Sequence, residues 1–477
     1  MAKRKISKKT QKEVVKTAKK YPKITLAIVI LLIICLVGCC FLHYKRIITI
    51  SFLEGIIPQE KVVEDKEEYT VDVQQNVQAG GTIEGAGAFK EGETATLRAT
   101  ANQGYAFVGW FNGATCVSYS QVYTFTVTAN TALEARFAPT SGGDGTSTST
   151  DDLQIHFLEL GNASTGDCTL IKTGDTEVLI DAGSLQSSAA HLNTEIAKYC
   201  TDGKLEYVVA THAHTDHIGA FVGTSSKGVY NGILYTYDVG TIIQFPLTKK
   251  EATASNLYGK YLAAVDYAVS QGAVVYTALE CWNYENGAQR TYTLAEGITF
   301  NILYQKYYET YDTGDDENNY SVCTLLSQGN NHYLFTGDLE ADGEESLVTE
   351  NDLPRVKLYK AGHHGSPTSS SAEFMAVIQP EIICVCCCCG NMEYTDNPLN
   401  DFPSQAFVDN VAPYTDKIYV TTITDGNDGF MSYNGTITVS SNGSEVTVNC
   451  SNNNTIFKET DWFKANRTWP SNGVGGS

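Results

Sequence analysis

The longest uninterrupted apolar stretch of the chain covers residues 24–42, which are 19 residues without a charged side chain. As a helix, that length crosses about 30 Å of hydrocarbon, so one transmembrane helix is predicted there. Residues 43–69 follow as a stalk, whose charged run Glu60-Lys61-Val62-Val63-Glu64-Asp65-Lys66-Glu67-Glu68 has no core of its own. Over residues 70–138 short runs alternate in polarity between glycine turns, as in Thr94-Ala95-Thr96-Leu97-Arg98-Ala99 and Tyr123-Thr124-Phe125-Thr126-Val127-Thr128. That period predicts a small all-β module. Trp110 is expected there as a buried anchor between sheets, not as a binding face, because so small a domain needs large apolar side chains. A Gly/Ser/Thr linker over 139–151 separates this module from the C-terminal two thirds of the chain.

From 152 to 456 the pattern mixes strands and helices. Leu257, Tyr261, Leu262, Val265, Ala268 and Val269 fall on one helical stripe that Gly272 closes. Ser370 and Glu373 have capping-box spacing before Phe374, Val377 and Ile378, and Pro380 stops that helix. The run Cys384-Val385-Cys386-Cys387-Cys388-Cys389 lies between Ile383 and Gly390 and predicts one buried strand of small hydrophobes, not a metal knuckle. Residues 457–477 are expected to be mostly loose, with Trp462, Phe463 and Trp469 able to dock on the domain.

Length and charge sharpen this outline. A chain of 477 residues suggests two to three domains, and 42% apolar residues exclude disorder. The net charge of −21 averages two unlike pieces. Residues 1–23 carry ten Lys/Arg against Glu13, whereas only Lys45 and Arg46 follow the span. The basic flank places residues 1–23 in the cytoplasm as a tail and the C-terminal domains outside the cell membrane. From residue 47 onward 53 acids face 21 basic residues, which leaves −32 and a poor binder of long polyanions. Leu36-Val37-Gly38-Cys39 also resembles a lipoprotein cleavage box, but Cys40-Phe41-Leu42 continue the apolar run, and an uncleaved anchor is the expectation. The remaining cysteines show no paired spacing and hence no disulfide framework.

The chemistry concentrates at strand ends. Tyr207-Val208-Val209-Ala210 runs into Thr211-His212-Ala213-His214-Thr215-Asp216-His217-Ile218-Gly219, with four metal-competent side chains in six residues. His212 and His214 can aim at one ion, and Asp216 and His217 at a second. Two further apolar strands run into Gly337-Asp338 and Gly362-His363-His364-Gly365-Ser366. Five of the nine histidines therefore sit in two strand-end motifs, and a bound metal is expected.

These motifs support two resemblances. Residues 70–138 resemble the β-repeat modules of bacterial surface proteins of the internalin kind, through Gly80-Gly81-Thr82, Glu91-Gly92-Glu93, the segment from Gly104 to Trp110, and Leu133-Glu134-Ala135-Arg136-Phe137. Residues 152–456 resemble a metallo-β-lactamase-fold hydrolase, and more narrowly the soluble hydrolase domain of ComEC-type competence proteins. The matching residues are His156-Phe157-Leu158-Glu159-Leu160-Gly161, Gly166-Asp167, Leu179-Ile180-Asp181-Ala182-Gly183, the 211–219 signature, Asn319-Tyr320-Ser321-Val322, Phe335-Thr336-Gly337-Asp338 and Lys360-Ala361-Gly362-His363-His364-Gly365-Ser366. The fold class implied is α+β: an αββα sandwich, here combined with the small all-β repeat module and one N-terminal transmembrane helix.

The resemblance implies that His212 and His214 hold the first metal, that Asp216, His217 and His364 hold the second, and that Asp338 bridges them. Asp216 and His363 are the candidate catalytic residues, with His363 facing the substrate, and Asp181 orients the site from behind. Zinc, as one or two ions, is the expected cofactor, with manganese as the alternative. Four departures stand out. Asn162-Ala163-Ser164-Thr165 lengthen the first loop, and Asn318 or Asn319 stands where many relatives place a third histidine on the first metal. Asp396-Asn397-Pro398 replaces the Tyr-Gly-His-Pro segment of the family, and the multi-helix channel of competence proteins is absent from this sequence.

The expected function is that of a membrane-anchored extracellular hydrolase. A bound cation lowers the pKa of its water toward about 7 and so supplies hydroxide. Small or polymeric phosphoesters are the favoured substrates, and amides or lactones the alternative. A surface-binding or adhesion protein, attached to wall polymer through the β module, is the competing class. Nucleic acid is disfavoured by the acidic charge, with Arg355, Lys357 and Lys360 as the thin counterweight near the site.

Overall fold

The computed structural model describes residues 66–102, 105–113, 115–118, 122–139, 153–226, 228–314, 316–427 and 429–475. The expected basic tail, transmembrane helix, linker and nearly all of the stalk lie outside the described residues. Among the described residues no helix is long and apolar enough to cross a membrane. The elements that position the site all belong to the unit Glu68–Ser477.

The N-terminal part of this unit is all β. Strands Glu68–Gln75, Gly87–Lys90, Tyr105–Asn112, Thr115–Ser118 and Thr131–Pro139 form a five-stranded sheet, and Gly81–Glu84, Thr94–Ala101 and Val122–Thr126 form a three-stranded one. Alternate residues Ala95, Leu97 and Ala99 point inward to meet Val71, Phe107, Trp110 and Phe137. Trp110 is fully buried, with its ring edge-on to Phe107 at 5.3 Å, and so acts as the anchor expected of it.

The C-terminal part is an αββα sandwich of two mixed eight-stranded sheets. In the second sheet the strand faces divide cleanly. Tyr333, Phe335, Leu358, Cys384 and Cys386 join the core shared with the first sheet. Leu334, Tyr359, Ile383, Val385 and Cys387 turn the other way, onto helices Ala341–Glu350, Ala372–Ile378 and Gln405–Val411. Phe157 and Phe335 meet across the two sheets at 6.4 Å. The cysteine run is strand Ile382–Cys389, buried throughout, and thiols suit both of its apolar faces.

Three local expectations change. Helix Leu257–Gln271 forms as the stripe predicts, and Gly272 ends it with φ 117°, but Val269 is 46% exposed and does not belong to the buried face. Helix Ala372–Ile378 is capped by Ser371, whose side chain accepts from the Phe374 backbone N–H. Ser370 instead takes a left-handed conformation with φ 57° and hydrogen-bonds Tyr359, so the capping box is not formed. The tail is ordered: helix Asp461–Asn466 buries Phe463, and Phe457 is buried beside it.

Candidate metal centre

Strand Lys204–Ala210 lies in the middle of the first sheet, parallel to both its neighbours, Thr176–Ile180 and Asp238–Gln244. Its buried end delivers the chain to Thr211 and through His212–His214 into helix Thr215–Val222. The next-door strand leads directly into Asp181, which accepts from the Thr211 backbone N–H at 2.8 Å and from Thr211 Oγ1 at 2.7 Å. Two adjacent strand ends are thereby locked together. Gly183 closes the gap because a side chain there would collide with the Asp216 carbonyl.

His212 Nε2 and His214 Nδ1 converge to 3.0 Å. Behind them, His212 Nδ1 meets Thr211 Oγ1 at 3.1 Å and Ser321 Oγ at 3.3 Å. Burial and the neighbouring imidazoles of His217 and His214 push His212 well below the usual histidine range, so its ring is neutral, the form that offers a metal its lone pair. His217 Nδ1 meets Asp181 Oδ2 at 2.7 Å, which aims Nε2 at Asp338 Oδ2, 3.0 Å away.

The second sheet supplies the rest. Asp338 follows strand Asn331–Phe335, and Ser321 Oγ accepts from its backbone N–H at 3.0 Å. His363 and His364 both take left-handed φ, 45° and 54°, a costly pair of conformations for residues with side chains. The turn sends the two rings apart. His364 is buried, with Nδ1 2.9 Å from the Cys386 carbonyl and Nε2 3.5 Å from Asp216 Oδ2 and 3.3 Å from Asp338 Oδ2. His363 faces the cleft, with Nε2 4.0 Å from the same Asp338 oxygen and Nδ1 3.1 Å from Thr368 Oγ1.

Asp167, His217, Asp338 and His364 offer ligand atoms that all lie within 4.8 Å of one another. Their orientations nevertheless differ. Asp167 stands 3.8 Å from His217 Nδ1 and 3.3 Å from His364 Nδ1, behind both rings, and pairs with the buried Lys360 ammonium. Asp216 Oδ2 faces the Nε2 side of both rings, at 4.0 Å and 3.5 Å. The front of the site therefore carries His217 Nε2, His364 Nε2, Asp216 and Asp338, with Asp167 and Lys360 closing the back.

The electrostatics suit a cation. The site holds four carboxylates, Asp167, Asp181, Asp216 and Asp338, and one ammonium, Lys360, which pairs with Asp167 and lies 3.8 Å from Asp338 Oδ1. Burial opposes charge on Asp338, yet His217 and His364 hold its carboxyl well below the usual range. Burial equally opposes charge on the two histidines, and Asp338 holds both well above theirs. Asp167 Oδ1, Asp338 Oδ1 and His364 Nε2 are buried without a hydrogen-bond partner. Buried nitrogen and carboxylate donors with hydrogen-bonding capacity left over, in a site whose carboxylates outnumber its one ammonium, fit a divalent metal ion.

Above the site opens a cleft of about 510 Å³ lined by His214, Asp216, Asp316, Asn318, Asp338, His363, Tyr394 and Phe402 among others. Of the two asparagines in the third-histidine region, Asn318 lines the cleft. Asn319 turns away, donating to Asp312 at 2.6 Å and accepting from the Glu340 N–H. Of the basic counterweight expected near the site, Lys360 reaches it, buried against Asp167 and 3.8 Å from Asp338 Oδ1, whereas Lys357 pairs with Glu381. Neither they nor Arg355 line the cleft.

Ser321, Lys360, Tyr394 and Asp316 took no part in the expected ligand set. Ser321 and Lys360 stand inside family-like motifs of the sequence and could have been found there. Tyr394, whose hydroxyl donates to Asp216 Oδ2 at 3.2 Å, and Asp316, 3.5 Å from His214 Nε2, come from loops without any periodic signal.

The profile of the metallo-beta-lactamase superfamily matches residues 161–268, and that of the divergent InlB B-repeat domain matches residues 69–141. Recombination protein 2 of Haemophilus influenzae is 26% identical over 231 residues, which are 48% of this chain and 23% of that protein. ComE operon protein 3 of Bacillus subtilis is 37% identical over 67 residues, 14% of this chain and 8% of that protein. The chain thus spans less than a quarter of the length of either relative. Among solved structures, the metallo-beta-lactamase fold protein YhfI from Bacillus subtilis aligns with 57% of this chain and 96% of its own, at 10% identity and a TM-score of 0.33. Residues 161–268 thus match the metallo-beta-lactamase superfamily, and residues 69–141 match the divergent InlB B-repeat domain.

Proposed function

We propose that the chain is a metal-dependent hydrolase of phosphoester bonds, anchored in the cell membrane by residues 24–42 with the hydrolase domain outside. In this reading His212, His214 and Asp338 hold one ion, and Asp216, His217, His364 and the shared Asp338 hold a second. Zinc suits this nitrogen and carboxylate set, and manganese is the alternative. The observation that carries the reading is the convergence of His217 Nε2 and His364 Nε2 within 3.3 Å of one carboxylate oxygen, Asp338 Oδ2, on the floor of an open cleft. A bound divalent ion supplies Lewis acidity, activating water near neutral pH and offsetting charge at the attacked centre.

The protein's own residues do the rest. Asp181 and Ser321 orient His217 and His212 from behind. Lys360 offsets part of the carboxylate charge. His363, held by Thr368 and Glu340, presents Nε2 to the cleft as a donor to a phosphoryl oxygen. Elemental analysis of protein purified without chelator, together with hydrolysis of bis(4-nitrophenyl) phosphate, tests the reading. One or two bound ions are expected, with turnover lost in the Asp216→Ala/Asp338→Ala double variant. A protein without metal, or a double variant as fast as the parent, overturns it and favours the surface-binding class.

A further inference from the structure

The acidic composition disfavours long polyanions, and the lining of the cleft bears on selectivity more specifically. One wall is aromatic. Tyr394 stacks on Phe402 with ring centroids 5.7 Å apart and planes 26° from parallel, and Phe402 in turn packs against both His363 and His364. Tyr394 is nonetheless 55% exposed, and its loop also exposes Met392 (50%) and Leu399 (57%). This loop is held in place: Glu393 accepts from the Thr165 backbone N–H at 2.8 Å, Asn391 donates to the Ala163 carbonyl, and Gly390 N–H donates to the Phe402 carbonyl. The apolar lip is thus a presented surface at the mouth of a polar cleft. The same cleft carries Asp316, half exposed beside His214, and among the described residues no Lys or Arg lines it.

A ring fits the first wall, because stacking on a pre-oriented tyrosine costs little side-chain entropy. A single negative charge fits the rest of the cleft, since beyond the bound cation and His363 each further charge meets Asp316 with no lining Lys or Arg among the described residues to offset it. We infer that this cleft takes a small, singly charged ester bearing an aromatic ring, with Tyr394 as the stacking face and Asp316 as the group that turns polyanions away. The anionic group in this inference rests on the phosphoester reading.

The test is calorimetric binding to the metal-loaded full chain, with diphenyl phosphate, dimethyl phosphate and inorganic triphosphate as probes. Diphenyl phosphate is expected to bind about tenfold more tightly than dimethyl phosphate, the low end of what ring stacking contributes. Tyr394→Ala should erase that ratio, and Tyr394→Phe should keep it. Asp316→Asn should shift the ratio of triphosphate to dimethyl phosphate affinity several-fold toward triphosphate. Equal binding of the two phosphates, no binding of either, a ratio that survives Tyr394→Ala, or a triphosphate ratio unmoved by Asp316→Asn overturns the inference. Turnover of bis(4-nitrophenyl) phosphate, followed in parallel, separates the two claims. Ring-dependent binding without turnover removes the phosphoester reading but keeps the ring site; turnover without ring-dependent binding does the reverse.

Discussion

Asp181, in a left-handed conformation with φ 59°, lies 2.7 Å from His217 Nδ1 and so turns the opposite nitrogen of that ring toward Asp338. A carboxylate behind a histidine fixes which nitrogen carries the proton and leaves the other to bind.

Asp181→Asn tests that relationship with little backbone cost, because asparagine tolerates the left-handed region. The amide no longer enforces a proton on Nδ1, so metal affinity should fall about 10–100-fold with the fold retained. Competition with a chromophoric chelator measures the affinity, and circular dichroism the fold.

Lys360 and Asp167 form a buried ion pair. Lys360→Met strands Asp167 and should cost about 3–5 kcal/mol in urea denaturation. Adding Asp167→Asn removes the stranded charge and should recover most of the loss. Additive single-variant costs would mean that the two residues are not coupled.

Metal loading should release protons. Asp338 holds His217 and His364 well above the usual histidine range, so the metal-free rings carry protons that a bound cation displaces. Apparent affinity should therefore rise with pH. Calorimetry in buffers of different ionisation enthalpy reads the release directly, and no dependence on the buffer would contradict the assignment of these rings as ligands.

Glu344 gives a pH dependence away from the metal site. Burial pushes its carboxyl up to about 7 from 4.5, even though it accepts from the Ser370 and Ser371 backbone N–H groups. The folded protein then binds this proton more tightly than the unfolded chain does. Stability is fully present below about 4.5 and is lost as pH rises toward 7, by about 3 kcal/mol. In Glu344→Gln that part of the pH slope should vanish, as seen by urea denaturation at pH 5 and pH 8.

Arg467 ties the C-terminal tail to the cleft. Its guanidinium donates to the carbonyls of Pro403, Pro398 and Asp401 at 2.9, 2.9 and 2.8 Å, bracketing Phe402. Arg467→Ala removes three charge-assisted bonds and should cost roughly 3 kcal/mol. Limited proteolysis should then cut the 390–403 segment faster. An unchanged cleavage rate would show that the loop holds itself.

Much of the fold was legible because its signals are local. Alternation marked the strands of the β module, Trp110 stood out as the large apolar residue of a small domain, and helix Leu257–Gln271 carried both its stripe and its closing glycine. The misses are also physical. Ser370 and Ser371 are equivalent as caps on paper, and Glu344, arriving from another helix, holds both backbone N–H groups and leaves the capping to Ser371. The tail looked loose because its order comes from Phe457, Phe463 and Arg467 packing on distant strands and loops.

The sequence by itself determined which side chains could bind a metal and that they stand at strand ends, because ligand type and strand pattern are properties of neighbouring residues. Only the tertiary structure decided how they divide. It set Asp167 behind the rings, buried Lys360 as a fixed countercharge, and brought Tyr394 and Asp316 into one cleft. These roles depend on ring orientation and on contacts between residues up to 228 positions apart, as between Glu393 and Thr165. Such distances close only when two sheets pack face to face, and no periodicity along the chain encodes them.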